Sequence, residues 1–525
     1  MFSPSVTRRL FAAALAAVVA AGIAAPPLQA KTLRYAVQTF GGETFDPTLT
    51  SIATSLGFAG PLWDWLTIVD KDGKLHPGLA TSWKSTPDNK SWTFTLRKGV
   101  KFHDGTEMTA DDVKFTLEIG FGRKEAHSSR ASQFRKAVKN VEVVDRYTAR
   151  INATRAWPTL PFDLSNQPGI EGVVLPRAYI EKVGWKTFGQ KPVSTGVWRY
   201  AKHETGNYVE FEAVKNHWRF GNPAFDQLRM QLVPEGSTRV AMLKTGQADI
   251  ADVSLDDAKD LRAGGFKVVS DPQATSIRIH LYGSYYDKPG PIGKLEVRKA
   301  LNLAINRQEL VDTLFSGQGK PAAVFPLSPL SIGFPADLKP YPYDPAEAKR
   351  LLAAAGYPTG FRIKLYAVPT GGFTLYKQLA EVVAGYWEAI GVKAEIVPTD
   401  MGAFRPMFIK QPQDPRIVGQ ASVFATTGRL DGATELGIWW SKQRKILQLA
   451  GNVDDHYAKA SKAGSVEEID RLVKDAMHIV YNDYRGIPLA DVDGVLWALG
   501  NQARDVVMTP YRGYMQPNLG AVTAK

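Results

Sequence analysis

The sequence predicts an α/β protein of more than one domain, and three observations support this fold class. The chain has 525 residues, more than one hydrophobic core usually organises. Its composition, 44% hydrophobic and 22% charged residues, is typical of a folded globular protein. Between residues 361 and 398, a strand pattern, a helix pattern and a second strand pattern follow one another, which predicts a parallel βαβ unit.

Residues 1–30 are predicted to be a secretory signal peptide that does not belong to the fold. Arg8 and Arg9 precede the apolar run Leu10–Ala25, and the following segment PPLQA ends at the small residue Ala30. The order is that of a Sec signal, and the sequence TRRLF also resembles a twin-arginine signal. An uncleaved anchor is the alternative, although the run is short for a membrane span. We therefore expect a periplasmic protein exported by one of these two routes.

Composition and missing motifs exclude several kinds of site. The chain has no cysteine, which excludes disulfides, thiolate metal sites and an N-terminal lipid anchor. Its formal net charge is +12, but the basic residues are scattered, so we expect no nucleic-acid partner. The sequence contains no G-x-S-x-G, H-E-x-x-H or P-loop pattern, and its eight histidines form no i, i+4 pair. We expect no enzymatic activity, no catalytic residues, no metal site and no cofactor.

The N-terminal half begins with two segments that alternate apolar and polar residues. The first, TLRYAVQTF, follows the predicted cleavage site and predicts a strand. The second, SWTFTLRKGV, places Trp92, Phe94 and Leu96 on one side and predicts another strand. Between them, the Asp72-Gly73 pair predicts a turn that joins two extended pieces.

The segment after the second strand predicts a turn and a capped helix. VKFHDG is expected to form a short strand that ends in a turn at Asp104. Thr109 is an N-cap candidate, and Asp112 three residues later completes a variant of the capping box. A catalytic or metal-binding pair of His103 and Asp104 is the alternative, but the turn already accounts for the aspartate. The apolar stripe of this helix comprises Val113, Leu117 and Phe121.

The C-terminal half carries helix signals at regular intervals. Asp344 and Glu347 form a capping pattern around Pro345, and Gly356 ends that helix. A long amphipathic helix between Leu375 and Ile390 separates the strand patterns FRIKLYAV and VKAEIV of the βαβ unit. Upstream, a helix pattern from Val297 to Ile305 leads into a second helix capped by Asn306 and Glu309.

Six segments resemble, in order along the chain, the signatures of the family 5 extracellular solute-binding proteins of ABC importers, the dipeptide, oligopeptide and nickel type. The segment WTFTLRKGVKFHDGTEMTADDVKFTLE is the most characteristic of them. Any single match would be weak evidence, whereas six in the family's order are specific. The matching segments are Leu75–Trp83, Trp92–Glu118, Pro192–Tyr200, Leu243–Ala251, Val297–Ala322 and Tyr343–Tyr357.

The resemblance implies a two-lobed periplasmic binding protein fold, a clamshell, with an additional inserted subdomain in the first lobe. The first lobe would comprise residues 31–60, 190–285 and 491–525, and the second lobe residues 286–490. The inserted subdomain, residues 61–189, would lie away from the ligand. The resemblance further implies a monomer that captures a peptide-like or other small organic solute by hinge closure. It would deliver that solute to an inner-membrane ABC permease.

The resemblance also suggests where a ligand would bind. In relatives that bind peptides, an aspartate in a W-x-x-D-Y-x-x-P type segment pairs with the ligand's α-ammonium group. The matching segment is FATTGRLD, and if Phe424 takes the tryptophan position, Thr427 takes that of the aspartate. A hydroxyl cannot neutralise a buried ammonium, so free peptides are disfavoured unless Asp431 replaces the missing carboxylate. Asp431 could instead be a turn residue, and Arg429 could contact a ligand carboxylate or face water.

Other ligand-binding candidates follow from position, with core packing as the alternative for each aromatic residue. Aromatic faces supply apolar area in a binding cleft, and loops at the carboxyl ends of strands usually carry the site in α/β proteins. The further candidates are Phe40, Phe45, Tyr285, Tyr286, Thr370, Phe373, Trp439 and Trp440.

Two alternative functions remain open from the sequence: a secreted hydrolase, and a sensor or chaperone that presents a ligand with the same fold. Within the favoured class, peptides compete with opines, sugars, aromatic compounds and chelated metals. The sequence does not distinguish these ligands.

Overall fold

The structure is a computed structural model, and its largest bodies are three β-sheets with the helices that cover them. It describes residues 31–41, 43–49, 58–70, 73–128, 130–166, 169–270, 275–283, 290–329, 331–369, 375–427, 431–442, 444–447, 453–493, 496–506, 508–509 and 516–524.

The strands are numbered in chain order. They are β1 (Thr32–Val37), β2 (Thr67–Val69), β3 (Leu75–Pro77), β4 (Ala80–Ser85), β5 (Ser91–Leu96), β6 (Val138–Asp145), β7 (Thr148–Ala153), β8 (Trp198–Glu204), β9 (Tyr208–Ala213), β10 (Gln227–Leu232), β11 (Ile250–Val253), β12 (Lys267–Ser270), β13 (Thr275–Leu281), β14 (Gly319–Pro321), β15 (Arg362–Ala367), β16 (Lys393–Pro398), β17 (Ala421–Thr427), β18 (Ile487–Val492), β19 (Leu496–Leu499), β20 (Ala503–Asp505), β21 (Met508–Thr509), β22 (Gln516–Pro517) and β23 (Thr523–Ala524).

The helices are numbered in the same way. They are α1 (Ala110–Lys114), α2 (Ala131–Ala137), α3 (Leu160–Asp163), α4 (Arg177–Phe188), α5 (Gly236–Lys244), α6 (Leu255–Ala263), α7 (Leu295–Leu303), α8 (Arg307–Leu314), α9 (Pro345–Ala354), α10 (Tyr376–Glu388), α11 (Met401–Ile409), α12 (Gly432–Trp439), α13 (Val453–Ala460) and α14 (Val466–Asn482). A π-helix (Phe115–Gly120) continues α1, and short 3₁₀ turns occur at Pro47–Leu49, Gly60–Leu62 and Pro291–Gly293.

A seven-stranded sheet, in the order β12-β19-β11-β1-β10-β9-β8, forms the core of the first lobe. The predicted N-terminal strand is its centre, because β1 pairs in parallel with both β10 and β11. The alternation predicted for β1 is confirmed. Leu33, Tyr35 and Val37 are buried in the large core of this lobe, whereas Ala36 packs in a second core with residues of α5 and α6 on the other face.

A six-stranded sheet, in the order β14-β18-β13-β17-β15-β16, forms the core of the second lobe. The predicted βαβ unit is confirmed, since β15 and β16 pair in parallel and α10 connects them. Residues of α7 to α10 bury one face of the sheet, and residues of α11 to α14 bury the other. Every residue of β13 is therefore buried, as expected for a central strand between two helical layers.

The described strands on either side of residues 271–274 and 494–495 show that the chain passes twice between the two sheets. One passage leads from β12 to β13 and the other from β18 to β19, and these strands are neighbours within both sheets. Ser270 also donates to Asp493 across the two passages (Oγ–Oδ2 2.7 Å). One predicted boundary needs correction, because β13 lies within residues 190–285 yet belongs to the six-stranded sheet. The remaining domain limits stay a prediction.

A four-stranded antiparallel sheet, in the order β4-β5-β7-β6, contains the most characteristic signature segment. Trp92, Phe94 and Leu96 of β5 are buried as predicted. VKFHDG is not a strand, because only an isolated bridge joins Lys101 to Glu107. The predicted capping box of Thr109 is present, and its helix changes into the π-helix after five residues.

The predicted apolar stripe of this helix is buried, but it does not enter one core. Val113 and Leu117 pack inside the four-stranded sheet's own core, whereas Phe121 reaches the core of the first lobe. The π-helix therefore places one element in contact with both cores.

Within the part of the chain that the structure describes, no helix is long and apolar enough to cross a membrane. The predicted signal peptide and the Asp72 position of the predicted turn lie outside the described residues, whereas the flanking strands β2 and β3 pair as expected.

Candidate functional site

A cavity of about 410 Å³ lies between the four-stranded sheet region and the helices of the second lobe. Its size falls within the range of about 300–1,000 Å³ that is typical of small-molecule sites. Two distant parts of the chain line it, residues 133–159 on one side and residues 431–469 on the other. The lining residues that matter most below are Gln133, Arg155, Trp157, Thr159, Asp431, Thr434, Gly437, Arg444 and Tyr457.

The wall on the four-stranded sheet side is organised around the buried carboxylate of Asp163 at the end of α3. Its Oδ1 accepts from Arg130 Nη2 (2.7 Å), while its Oδ2 accepts from Trp157 Nε1 (2.5 Å) and Thr159 Oγ1 (2.9 Å). Three donors satisfy this carboxylate, and only 3% of the residue is exposed. Asp163 thereby fixes the orientation of two cavity-lining side chains.

Arg130 links this wall to a second buried carboxylate, Glu171. Its Nε donates to Gln133 Oε1 (3.3 Å), while Nη1 is buried without a hydrogen-bond partner among the described residues. Burial opposes the charge of Arg130, but the carboxylates of Asp163 and Glu171 raise its pKa above the ordinary value. Burial raises the pKa of Glu171, and Arg130 offsets part of that effect. The wall therefore contains one guanidinium between two carboxylates.

Asp431 is the only acidic residue among those that line the described cavity, and it comes from the second lobe. Its carboxylate caps α12, because it accepts from Thr434 N (Oδ1, 3.2 Å) and Thr434 Oγ1 (Oδ2, 2.5 Å). Burial and the nearby charge of Asp163 raise its pKa, while the bonds from Thr434 and the charge of Arg130 lower it. Each carboxylate oxygen can accept a second hydrogen bond, so a ligand donor could still bind here.

A glycine allows the cavity wall to form where α12 meets α13. A Cβ added at Gly437 would lie 2.5 Å from Cε2 of Tyr457 and 2.9 Å from its hydroxyl oxygen. Since real Cβ contacts are longer than this, only glycine permits the tyrosine ring to rest on the helix backbone. The sequence ELGIWW thus has a packing reason for its glycine.

Among the described residues, two hydrogen bonds connect the inserted region to the second lobe. Arg155 Nη1 donates to the carbonyl oxygen of Ser461 (2.8 Å), and Asn89 Nδ2 donates to the carbonyl oxygen of Gly464. Both acceptors lie in the short connection between α13 and α14. The two sides of the cavity are therefore in direct contact.

Behind α12, polar side chains of β13 and β17 form a row in which Arg278 and His280 are completely buried. Arg278 Nε donates to His280 Nε2 (2.9 Å), and its Nη1 donates to Thr426 Oγ1 (2.7 Å). The row continues from His280 Nδ1 to the hydroxyl of Tyr282 (3.1 Å) and from there to Ser422 Oγ (3.0 Å). These residues alternate along the strands, so they share the sheet face that α12 covers.

Aromatic rings and two carboxylates surround the Arg278 guanidinium. Its centre lies 5.0–5.6 Å from the rings of Phe325, Phe424 and Trp439. Burial lowers the pKa of Arg278 to about 10, although Glu435 and Asp491 counteract this effect.

Burial and the charge of Arg278 hold the pKa of His280 well below its ordinary value, so the ring is neutral at physiological pH. Burial raises the pKa of Asp491 to about 7, and its Oδ1 has no hydrogen-bond partner among the described residues.

The predicted aromatic candidates of the first lobe lie in its core. Phe40 and Phe45 are 2% and 1% exposed, and both pack against Phe58, with ring centroids 5.1 and 4.4 Å apart. Phe45 also contacts Tyr200. Neither residue lines the cavity, and these contacts are the ones that core packing alone would produce.

The predicted candidates of the second lobe divide between the cavity and the core behind it. Asp431 lines the cavity, whereas Phe424, Trp439 and Trp440 are buried in the core beneath α12. The backbone of Thr427 pairs with Thr275 at the end of β17. The Thr427 side chain lies outside what the structure describes, as do the residues Tyr285, Tyr286, Thr370, Phe373 and Arg429.

The buried charged residues behind the cavity wall on the four-stranded sheet side are not among the sequence candidates. Arg130, Asp163 and Glu171 belong to the region that was expected to lie away from the ligand. The local signal was weak: Asp163 stands between Phe162 and Leu164, where a charge is unusual, but nothing there indicates a partner.

The structural interpretation of the signature turn is supported by its contacts. Asp104 Oδ1 accepts from Thr106 N (3.0 Å) and Thr106 Oγ1 (2.6 Å), as in an Asp-Gly turn. His103 Nε2 bonds the carbonyl oxygen of Gly196 (2.8 Å), and burial lowers the pKa of this imidazole to about 4. The histidine therefore ties the turn to the first lobe. In the described portion of the chain, no group of three His, Asp or Glu residues could hold a metal ion.

Two α/β lobes, two connecting passages and a cavity between distant segments define the class of two-lobed solute-binding proteins. The chain matches the family model described as bacterial extracellular solute-binding proteins, family 5 Middle, over residues 74–414. The chain belongs to this family, as the signature segments predicted.

Similar proteins agree with this assignment. The chain is 30% identical over 483 residues to the glutathione-binding protein GsiB of Salmonella paratyphi A, covering 90% of this chain and 91% of that protein. Among solved structures, HbpA2 of Haemophilus parasuis superimposes with a TM-score of 0.79 at 22% identity, covering 94% of this chain and all of that chain. The dipeptide-binding protein of Pseudoalteromonas sp. SM9913 in complex with Met-Leu gives 0.72 at 22% identity, with 94% and 100% coverage.

These findings confirm the predicted fold class and the predicted function at the level of the family. The protein is the solute-binding component of an ABC importer, with a two-lobed α/β fold. Members of the family are periplasmic or extracellular binding proteins that deliver their ligand to a permease.

Proposed function

We propose that this protein captures a peptide-like solute with a free ammonium group in the cavity between its lobes, and that Asp431 binds the ammonium. The single observation that carries the proposal is the half-buried carboxylate of Asp431, which belongs to the second lobe and lines a cavity whose other side comes from residues 133–159. Glutathione and Met-Leu, the ligands of the relatives named above, both carry such a group at neutral pH. Asp431 would supply the negative charge that the hydroxyl group of Thr427 cannot supply.

Several features of the site support capture by closure. A ligand between residues 133–159 and 431–469 would touch both sides, so it would favour the arrangement in which they meet. The hydrogen bonds from Arg155 to Ser461 and from Asn89 to Gly464 belong to that arrangement. The permease would then recognise the closed form.

The remaining parts of the proposal follow the family. We infer that residues 1–30 direct export to the periplasm by the Sec or twin-arginine route and are removed there. The protein would work as a monomer that binds its solute without making or breaking a bond.

The test uses a substitution that removes the charge of Asp431 but keeps its structural role. Asp431→Asn retains an N-cap residue, because asparagine caps helices as well as aspartate does. Asp400→Asn is the matched control, since Asp400 caps α11 by accepting from Ala403 N (2.9 Å) and does not line the cavity. Calorimetry measures glutathione and Met-Leu binding to the three proteins, with unfolding midpoints recorded in parallel.

We expect Asp431→Asn to weaken binding by roughly 10- to 100-fold, the loss of a charged hydrogen bond of about 1.5–3 kcal/mol. Ligand at 100 times its dissociation constant should raise the free energy of unfolding of the wild-type protein by about 2.7 kcal/mol. Unchanged affinity in Asp431→Asn would refute the role of Asp431. Absence of any binding by wild type would refute the peptide-like ligand class.

A further inference from the structure

The charges around the cavity are distributed unevenly between its depth and its opening. Asp431 is half-buried, whereas Arg155 and Arg444 are exposed although all three line the cavity. The two arginines therefore stand at the opening. They come from opposite sides, because Arg155 follows β7 and Arg444 follows α12.

Both guanidinium groups keep donors that no hydrogen bond among the described residues uses. Arg155 gives one hydrogen bond, from Nη1 to Ser461 O. Within the described part of the chain, the Arg444 guanidinium makes no hydrogen bond or ion pair, since only the backbone of Arg444 is bonded to Ser441 and Gln411. A guanidinium has five N–H donors in a planar fork that fits a carboxylate. Several donors on each side of the opening thus remain available.

No carboxylate of the described cavity lining neutralises these two charges. Asp431 is the one acidic lining residue there, and its oxygens already accept from Thr434 while Arg130 lies nearby. The charges of Asp163 and Glu171 lie behind the wall and are balanced in part by Arg130. The opening is consequently positive, and the deep part of the cavity is acidic.

We propose that Arg155 and Arg444 bind carboxylate groups of the solute, one arginine from each side, and so restrict the site to solutes that carry at least one carboxylate. This inference rests on the proposed function of the cavity. It adds a second recognition element at the end opposite Asp431. The cavity is acidic near Asp431 and positive at its opening. It therefore suits a solute that places its ammonium group at Asp431 and its carboxylates at the opening.

The arrangement also explains how solute charge contributes to closure. A carboxylate held by Arg444 of the second lobe attracts Arg155 of the other side, and a guanidinium binds a carboxylate bidentately when geometry permits. A carboxylate between the two arginines attracts both of them, so the solute favours the closed state most when it is anionic at this end.

The experiment compares each acid with its neutralised form. Glutathione is measured beside glutathione diethyl ester, and Met-Leu beside Met-Leu amide, by calorimetry on wild type, Arg155→Gln and Arg444→Gln. The ester and the amide keep the ammonium group and lose the carboxylate charge. Arg350→Gln is the matched control, because Arg350 is an exposed arginine of α9 paired with Glu347 and remote from the cavity lining. Unfolding midpoints confirm that each variant is folded.

We expect wild type to bind the acids more tightly than the neutral forms by about tenfold, and each cavity variant to lose most of that preference. Arg350→Gln should behave like wild type. Equal binding of acid and neutral forms, or an undiminished preference in both cavity variants, would overturn the inference and leave the proposed function standing. If none of the four compounds binds wild type, the proposed function fails and the inference falls with it.

Discussion

Single buried charges determine how the second lobe supports the cavity. The segment TSIRIHL alternates polar and apolar residues, which usually predicts a strand with one face in water. In the structure, Arg278 and His280 are fully buried, because helices α11 to α14 cover that face. The polar row thus supports α12 from behind, while the opposite side of α12 lines the cavity. No local sequence pattern reveals that a helix from another part of the chain will cover such a face.

The ionisation of Asp491 should make folding stability depend on pH. Its pKa is about 7 in the folded protein, against an ordinary value near 3.8, because it is buried. The folded state therefore retains a proton that the unfolded chain releases, and this contribution to stability is lost as pH rises from about 4 to about 7. We expect Asp491→Asn to gain stability relative to wild type over this interval, by up to about 1.4 kcal/mol per pH unit.

Denaturant unfolding of wild type and Asp491→Asn at intervals between pH 4.5 and 8 measures this difference. The comparison isolates Asp491, because all other titrating groups are common to both proteins. Parallel stability curves would show that Asp491 titrates near its ordinary value.

Elements that depend on local signals were predicted well. The capping patterns at Thr109, Asn306 and Asp344 all precede helices, since an N-cap involves only residues three positions apart. The βαβ unit was predictable for the same reason, because its strands and helix are consecutive. The errors involve longer-range partners. VKFHDG lacks a neighbouring strand, and β13 joins the second sheet because its partners β17 and β18 lie far along the chain.

The capping box of α1 gives an element-scale prediction. Thr109 N donates to Asp112 Oδ2 (2.8 Å), and the box joins the signature turn to the helix that enters both cores. We expect Thr109→Ala to lower the free energy of unfolding by about 1 kcal/mol, the usual cost of losing an N-cap. Solute affinity should not change, because α1 does not line the cavity.

Unfolding in denaturant measures the change in stability, and calorimetry with glutathione and Met-Leu measures the solute affinity. A large loss of affinity without a loss of stability would assign the signature segment to ligand binding and contradict its structural role.

At the scale of the whole molecule, the site brings together residues that are about 300 positions apart. Sequence patterns predicted the two-lobed fold from the resemblance, and they included Asp431 among the candidates. They could not predict Arg130, Asp163 or Arg155, because the position of the four-stranded sheet beside the second lobe is a property of the assembled fold. The inserted region therefore forms one side of the cavity, although it was expected to lie away from the ligand.

Closure of the two sides can be measured by distance, since the chain has no cysteine of its own. Lys90→Cys and Lys462→Cys place spin labels on exposed residues beside the contacts of Asn89 and Arg155 with the second lobe. Lys349→Cys with Lys462→Cys is the control pair, because both positions lie in the second lobe. Pulsed electron spin resonance is recorded with and without glutathione and Met-Leu.

We predict a long, broad distance distribution for the Lys90–Lys462 pair without solute and a short, narrow one with a solute that binds. The control pair should give the same distribution in both conditions. Identical Lys90–Lys462 distributions in the presence of a solute that calorimetry shows to be bound would contradict capture by closure between these two sides.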